Sequence, residues 1–80
     1  MKELANKIQE LRKKMNMSQD DLAQKIGVSR QAISKWEREE GLPDLYNIKR
    51  LAETFNITVD ELISEQTGQR ISPQSQPNKL

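Results

Sequence analysis

The chain has 80 residues, no cysteine and no histidine, and its 13 basic side chains nearly balance its 12 acidic ones, leaving a net charge of +1. A chain of this length forms one small domain with a modest core, and without histidine or cysteine it lacks a disulfide framework, the usual zinc ligands and the common catalytic sets, so we expect no cofactor, no metal and no enzymatic activity. No apolar run is long enough for a signal peptide or a transmembrane helix, which favours a cytoplasmic protein without membrane contact.

The charges are unevenly distributed along the chain. Residues 1 to 17 hold five basic and two acidic side chains, whereas residues 37 to 65 hold three basic and eight acidic ones. A polyanion would therefore be attracted to the amino-terminal part and repelled by the carboxy-terminal part.

The first predicted element is an amphipathic helix of about three turns. Its apolar residues recur at i, i+4, i+7 and i+11, and they are Leu4, Ile8, Leu11 and Met15. Because this spacing places all four on one side of a helix, we predict that they form a buried stripe and that the helix ends near Asn16.

Two short helices joined by a tight turn are predicted next. Ser18 and Ser29 are suited to the N-cap positions of the two helices, and Gly27 is suited to the left-handed turn between them. The first helix carries the apolar stripe Leu22, Ala23 and Ile26. In the second, a rotation of about 100° per residue places Ala32, Ile33 and Trp36 on one arc. The opposite arc is polar and consists of Arg30, Gln31, Ser34, Lys35 and Arg38.

The remaining chain predicts two more helices and a tail. The segment EEGLPD is typical of a turn, and Asp44 is placed to cap a fourth helix that buries Ile48, Leu51, Ala52 and Phe55. Thr58 and Glu61 form a capping-box pattern that opens a short fifth helix. We predict an all-α domain of five helices over residues 1–65 and a flexible tail over residues 66–80. The alternative for the tail is an arm that pairs with a second subunit or holds a ligand.

Two short helices around a glycine-containing turn form a helix-turn-helix unit, whose second helix can enter the major groove of DNA. In this arrangement Ala23 is small where the helices approach each other, Gly27 makes the turn, and Val28 and Ile33 close the core. Trp36 lies on the same inner arc as Ile33, so we interpret it as a core residue and not as a base-stacking one.

The outer arc has the chemistry of base recognition. Arginine pairs with guanine O6 and N7, glutamine pairs with adenine N6 and N7, and serine donates to or accepts from several base edges. No acidic residue occurs between positions 22 and 36. The pattern therefore predicts base contacts from Arg30, Gln31, Ser34 and Lys35, whereas the alternative is a merely solvated helix face.

The segments SQDDLAQKIGVSRQAISKWE and PDLYNIKRLAETFNITVDEL resemble the phage-repressor and Cro-like helix-turn-helix regulators, also called the xenobiotic-response-element family. The resemblance covers about residues 3 to 65. It implies a compact five-helix domain, sequence-specific binding to double-stranded DNA and, often, a homodimer.

The resemblance also implies roles for individual residues. It places Gln19 against DNA at the start of the second helix, and it implies that Ser29 combines capping with a phosphate contact. From their positions we expect phosphate-binding or supporting roles for Ser18 and Arg38 as well. The resemblance further implies that Arg12 pairs with Glu37 and so ties the first helix to the third. That pair would be structural.

One segment departs from the family. Relatives commonly have a glycine near the position of Glu39, whereas this chain reads EREEG. Either the third helix runs longer, or a residue other than glycine takes a strained conformation. Glu39 and Glu40 would also repel a phosphate, an effect for which Arg38 would compensate.

The leading hypothesis is a repressor that binds a two-fold symmetric DNA operator as a homodimer, without a small-molecule effector. One alternative is the antitoxin of a toxin–antitoxin pair, so the protein partners to consider are an antagonist and a toxin. A second alternative is a protein-interaction module that no longer binds DNA. The apolar residues Tyr46, Val59, Leu62 and Ile63 fit either the core or a dimer surface.

Overall fold

The computed structural model describes residues 2–64, which form five α-helices and contain no strand. The helices are α1 (Lys2–Lys14), α2 (Gln19–Ile26), α3 (Arg30–Glu37), α4 (Leu45–Phe55) and α5 (Val59–Ile63). The predicted all-α, five-helix architecture is confirmed. Within the described range, no helix has the length and apolar character needed to cross a membrane. The predicted tail of residues 66–80 lies outside the described residues.

The four predicted N-caps are present. The side chains of Ser18, Ser29, Asp44 and Thr58 each accept a hydrogen bond from the backbone N–H three residues later. At α2 the cap is reciprocal, because the Asp21 carboxylate accepts the Ser18 N–H at 2.9 Å. The Ser18 backbone N–H and, less strongly, its hydroxyl lower the pKa of the Asp21 carboxyl. These caps satisfy N–H groups that a helix start otherwise leaves without a partner.

The first four helices end in the same motif. A residue with left-handed backbone follows each helix, and the next N–H bonds to the carbonyl five residues earlier, at 2.8 to 3.0 Å. The left-handed residues are Asn16, Gly27, Glu39 and Asn56. Asparagine and glycine are favoured in this conformation, but a glutamate at φ 63° is disfavoured by its β-carbon. Of the two alternatives for EREEG, the structure therefore has the second: α3 ends at Glu37, and Glu39 takes the strained conformation.

The core lies between all five helices. Its fully buried large side chains are Ile8, Leu22, Ile33, Leu51 and Leu62. Burying a side chain of this size contributes roughly 1.5–3 kcal/mol, which offsets part of the conformational entropy lost on folding. Trp36 joins the same cluster, and Val28 and Ala32 pack against it while remaining half-buried.

The predicted stripe on α1 is only partly correct. Leu4 and Ile8 are buried and Leu11 is half-buried, but Met15 is 47% exposed. The prediction for Met15 was wrong because α1 ends at Lys14 and Met15 lies in the turn that leaves the helix. A buried arginine, Arg12, lies one helical turn before it.

Candidate nucleic-acid interface

The contact between α2 and α3 sets the orientation of α3. Gly27, Val28 and Ser29 connect the two helices, and the Ala23 carbonyl accepts the N–H groups of Gly27 at 2.8 Å and Val28 at 3.0 Å. Gly27 has φ 81°, which favours glycine. Because Ile33 is completely buried beneath this turn, the opposite side of α3 faces outward.

The outward side of α3 forms an open depression of about 450 Å³. The four predicted base-contacting residues line it together with Arg38; the full lining is Arg30, Gln31, Ser34, Lys35 and Arg38. Ser34 is half-buried, and the others are exposed. The lining contains three cations and no acid, and its donors and acceptors match those that read base edges in the major groove.

The predicted supporting residues form internal hydrogen bonds. The Ser18 and Ser29 hydroxyls accept the backbone N–H groups of Asp21 at 3.0 Å and Ala32 at 3.1 Å. The Gln19 side chain donates to Glu37 Oε1 at 3.1 Å. The structure therefore gives each of the three a contact within the domain, and their predicted contacts with DNA stay a prediction.

A buried ion pair joins α1 to α3, as the resemblance implied. Arg12 Nε donates to Glu37 Oε2 at 2.7 Å, and Arg12 Nη2 donates to Glu37 Oε1 at 3.1 Å. Arg12 Nη1 also donates to the Met17 carbonyl at 2.8 Å, in the turn between α1 and α2. The Glu37 carboxylate on α3 thus accepts from Arg12 on α1 and Gln19 on α2, and Arg12 also holds the turn between α1 and α2. The contact with the Met17 carbonyl had no signal in the sequence.

Arg38 has a carboxylate partner on the outward surface. Its Nε and Nη2 donate to the two carboxylate oxygens of Glu40 at 3.2 and 2.9 Å, and its Nη1 donates to the Ser34 hydroxyl. The hydrogen bonds and charge of this pair raise the pKa of Arg38 and lower the pKa of Glu40. Arg38 thus compensates for one of the two acids, through a direct pair with Glu40.

Comparison with known proteins also identifies a helix-turn-helix domain in this chain. A family model described as "Helix-turn-helix" matches residues 8–62, which is more than half of the chain. The HTH-type transcriptional activator BcrR of Enterococcus faecalis is 44% identical over 62 residues, which cover 78% of this chain and 30% of BcrR. The transcriptional repressor RstR of the cryptic phage CTXphi of Vibrio cholerae is 39% identical over 51 residues, which cover 64% of this chain and 46% of RstR. The chain thus spans less than half the length of both relatives.

Solved structures show the same fold. The P22 c2 repressor protein in complex with a synthetic operator has a TM-score of 0.74 and 33% identity, over 80% of this chain and 97% of that chain. A SinR–SinI protein complex has a TM-score of 0.73 and 25% identity, over 78% of this chain and 61% of that chain. The chain therefore belongs to the helix-turn-helix family of DNA-binding transcriptional regulators, of the phage-repressor and Cro type.

Proposed function

We propose that the protein is a cytoplasmic transcriptional repressor that binds a two-fold symmetric operator as a homodimer, with α3 of each subunit in the major groove of one half-site. The observation that carries this proposal is the acid-free depression on the outward side of α3, where all four predicted base-contacting residues converge. That the related P22 c2 repressor was solved with a synthetic operator supports the same mode of binding.

Within the depression we propose a phosphate or supporting role for Arg38 and base contacts for the other four residues, which are Arg30, Gln31, Ser34 and Lys35. Arg30 and Gln31 lie in the first turn of α3, the end that approaches base edges in this docking geometry. We assign guanine to Arg30 and adenine to Gln31, because each side chain matches two groups on that base. Ser34 and Lys35 lie one turn further along.

A domain of this kind that is bound at a promoter blocks access of the polymerase, so repression needs no additional activity.

The dimer surface that we propose lies at the start of α4. Leu42, Leu45 and Tyr46 are 60, 70 and 64% exposed and fall within five consecutive positions. The Arg50 guanidinium lies 5.4 Å from the centre of the Tyr46 ring and donates to its hydroxyl at 2.8 Å, which orients the ring. Ordered tyrosine and arginine side chains are frequent centres of protein interfaces. Among the four apolar residues for which the sequence allowed either a core or a dimer-surface position, Leu62 is completely buried and belongs to the core.

Sedimentation tests this surface. We expect Leu45→Asp to shift the protein from dimer to monomer, because a charge replaces an exposed apolar contact at the centre of the interface. Met15→Asp is the matched control, since Met15 is also an exposed apolar residue but lies in the turn after α1. Equal sedimentation of the Leu45→Asp variant and the unmodified protein would place the dimer contact elsewhere.

Selection of bound fragments from random DNA tests the central proposal. We expect a two-fold symmetric site with half-sites roughly 34 Å apart. In the double variant Arg30→Ala with Gln31→Ala, the preference for this site over random DNA should fall by about 1–3 kcal/mol for each lost base contact. Helicity and melting temperature should persist, because both side chains are exposed.

The double variant Gln24→Ala with Lys25→Ala is the matched control for this experiment. It removes one amide and one positive charge from exposed positions on α2, outside the depression. We expect it to keep the preference for the selected site. If the double variant of Arg30 and Gln31 kept its preference for the selected site over random DNA, the assignment of base recognition to these residues of α3 would be wrong.

A protein antagonist is the second partner that an observation favours, because a structural neighbour was solved as a SinR–SinI protein complex. The antitoxin alternative likewise adds a protein partner to DNA binding, whereas a pure interaction module would not bind DNA. A salt titration distinguishes the module from the regulator. We expect the affinity for duplex DNA to fall steeply and log-linearly with salt, since phosphate contacts release counterions.

A further inference from the structure

The pair between Arg38 and Glu40 lies at the edge of the depression on α3. Arg38 lines that depression beside Ser34 and Lys35, so its guanidinium belongs to the surface that faces DNA in the proposed function. Both of its bonds to Glu40 and its bond to Ser34 are internal to the protein. The N–H groups of Arg38 that would bind a DNA phosphate therefore bind the Glu40 carboxylate instead.

The backbone after α3 brings Glu40 to this position. The left-handed conformation of Glu39 reverses the chain, and the Glu40 N–H then bonds to the Lys35 carbonyl at 2.8 Å. The turn thus returns Glu40 to the end of the helix, where its charge acts on both Arg38 and Lys35. Arg38, and to a smaller extent Lys35, lowers the pKa of the Glu40 carboxyl, as the contact between the two side chains requires.

We infer that Glu40 is an internal competitor for DNA phosphate: its carboxylate holds Arg38 in the free protein, and a phosphate displaces it when the duplex docks. Carboxylate and phosphate are both bidentate ligands of a guanidinium, so the exchange conserves the geometry of the bonds. The inference rests on the proposed function, because it requires the α3 surface to meet DNA.

The exposure of the pair makes the exchange inexpensive. The side chains of Arg38 and Glu40 are 56% and 54% exposed, and an ion pair in such a setting is worth a factor of about five at most in an equilibrium constant. Phosphates are present at every DNA sequence, so the competition weakens binding to the operator and to random DNA alike. Glu40 therefore sets the general affinity for DNA, while base discrimination stays with Arg30 and Gln31.

The test compares Glu40→Gln with Glu39→Gln in the full chain. Both variants raise the net charge by one at adjacent exposed positions, but only Glu40 contacts Arg38. The dissociation constant is measured by fluorescence anisotropy on a random-sequence duplex and on the selected operator duplex. We expect Glu40→Gln to tighten both dissociation constants more than Glu39→Gln does, by a factor of up to about five, with an unchanged ratio between the two duplexes.

A second comparison, in an Arg38→Ala background, isolates the contact. There the advantage of Glu40→Gln over Glu39→Gln should disappear, since no guanidinium is left to release. Equal tightening by the two variants in the unmodified background would reduce Glu40 to a distant charge and overturn the inference, and so would weaker binding by Glu40→Gln. Either of those results leaves the proposed function intact, whereas absence of binding to any duplex by the unmodified protein would overturn both.

Discussion

Two arginine–glutamate pairs lie near the end of α3: the Arg12–Glu37 pair is buried, and the Arg38–Glu40 pair is exposed. The Arg12–Glu37 pair has a shortest N–O distance of 2.7 Å, with side chains that are 9% and 3% exposed. The Arg38–Glu40 pair has a shortest distance of 2.9 Å, with side chains that are 56% and 54% exposed. The charged groups are the same and the geometries are similar, but the solvent around them is not.

This difference assigns the pairs to different tasks. A buried pair is costly to desolvate and costly to break, so it holds the elements that it joins in one arrangement. An exposed pair is screened by water and exchanges its partners readily. Glu37 and Arg38 are neighbours in the sequence, so one step along the chain separates a contact that fixes α3 from one that DNA can replace.

The largest predicted effect comes from breaking the buried pair. Glu37→Gln leaves the Arg12 guanidinium buried without a counter-charge, and we expect it to lower the free energy of unfolding by about 3–5 kcal/mol. Urea denaturation followed by circular dichroism measures this loss. The double variant Arg12→Met with Glu37→Leu should recover much of it, because no buried charge remains. A full loss in the double variant would show that the hydrogen bonds to Met17 and Gln19 carry the stability.

Sequence patterns predicted the helices and their starts, because caps and apolar periodicity are local. Ser18, Ser29 and Thr58 cap the predicted helices with their own side chains, so a few neighbouring residues were sufficient evidence. The exposed position of Met15 depends on where α1 ends relative to the rest of the bundle, which its spacing does not contain. The strained turn at Glu39 was identified only as one of two alternatives, since the preference against it is small enough for tertiary structure to override.

The candidate site was predictable in membership but not in its internal bonds. Helical periodicity alone predicted that Arg30, Gln31 and Lys35 share one side of α3, and in the structure they line the same depression. The partner of Gln19 lies on another helix, so this contact depends on the packing of α2 against α3. The partners of Arg38 are near it in the sequence, but its contact with Glu40 depends on the left-handed turn at Glu39. The Arg12–Glu37 pair, separated by 25 positions, was implied by the family resemblance alone.

The next effect concerns the turn that positions Glu40. Glu39→Gly removes the β-carbon that disfavours φ 63°, and we expect the free energy of unfolding to rise by about 1 kcal/mol. Glu39→Ala is the matched control, because it removes the same carboxylate but keeps the β-carbon, and it should give no comparable gain. Thermal and urea unfolding of the two variants measure the difference. Equal stability of both would mean that the left-handed turn stores no strain.

A smaller effect is expected from the exposed pair on folding. Glu40→Gln removes the negative charge beside Arg38 and one of its two acceptor oxygens, yet water and salt already screen this pair. We expect the urea midpoint to stay close to that of the unmodified protein, in contrast with the large shift for Glu37→Gln. A loss comparable to that of Glu37→Gln would show that the Arg38–Glu40 pair is also structural and would remove the contrast between the two.

The smallest effect is the pH dependence of the exposed pair. Arg38, through its hydrogen bonds and then its charge, holds the pKa of the Glu40 carboxyl below its ordinary value. Because the folded pKa is the lower one, the stabilisation is fully present above the unfolded pKa and is lost as the pH falls through the folded pKa. In Arg38→Ala, an NMR titration should show the pKa of Glu40 rising towards its ordinary value, with a small lowering by Lys35 remaining.

Asp21 is the internal control, since Ser18 lowers its pKa and Arg38 does not contact it. An unchanged Glu40 titration in Arg38→Ala would mean that the carboxylate is not held by Arg38 in solution, and the guanidinium would then be free to meet DNA without competition.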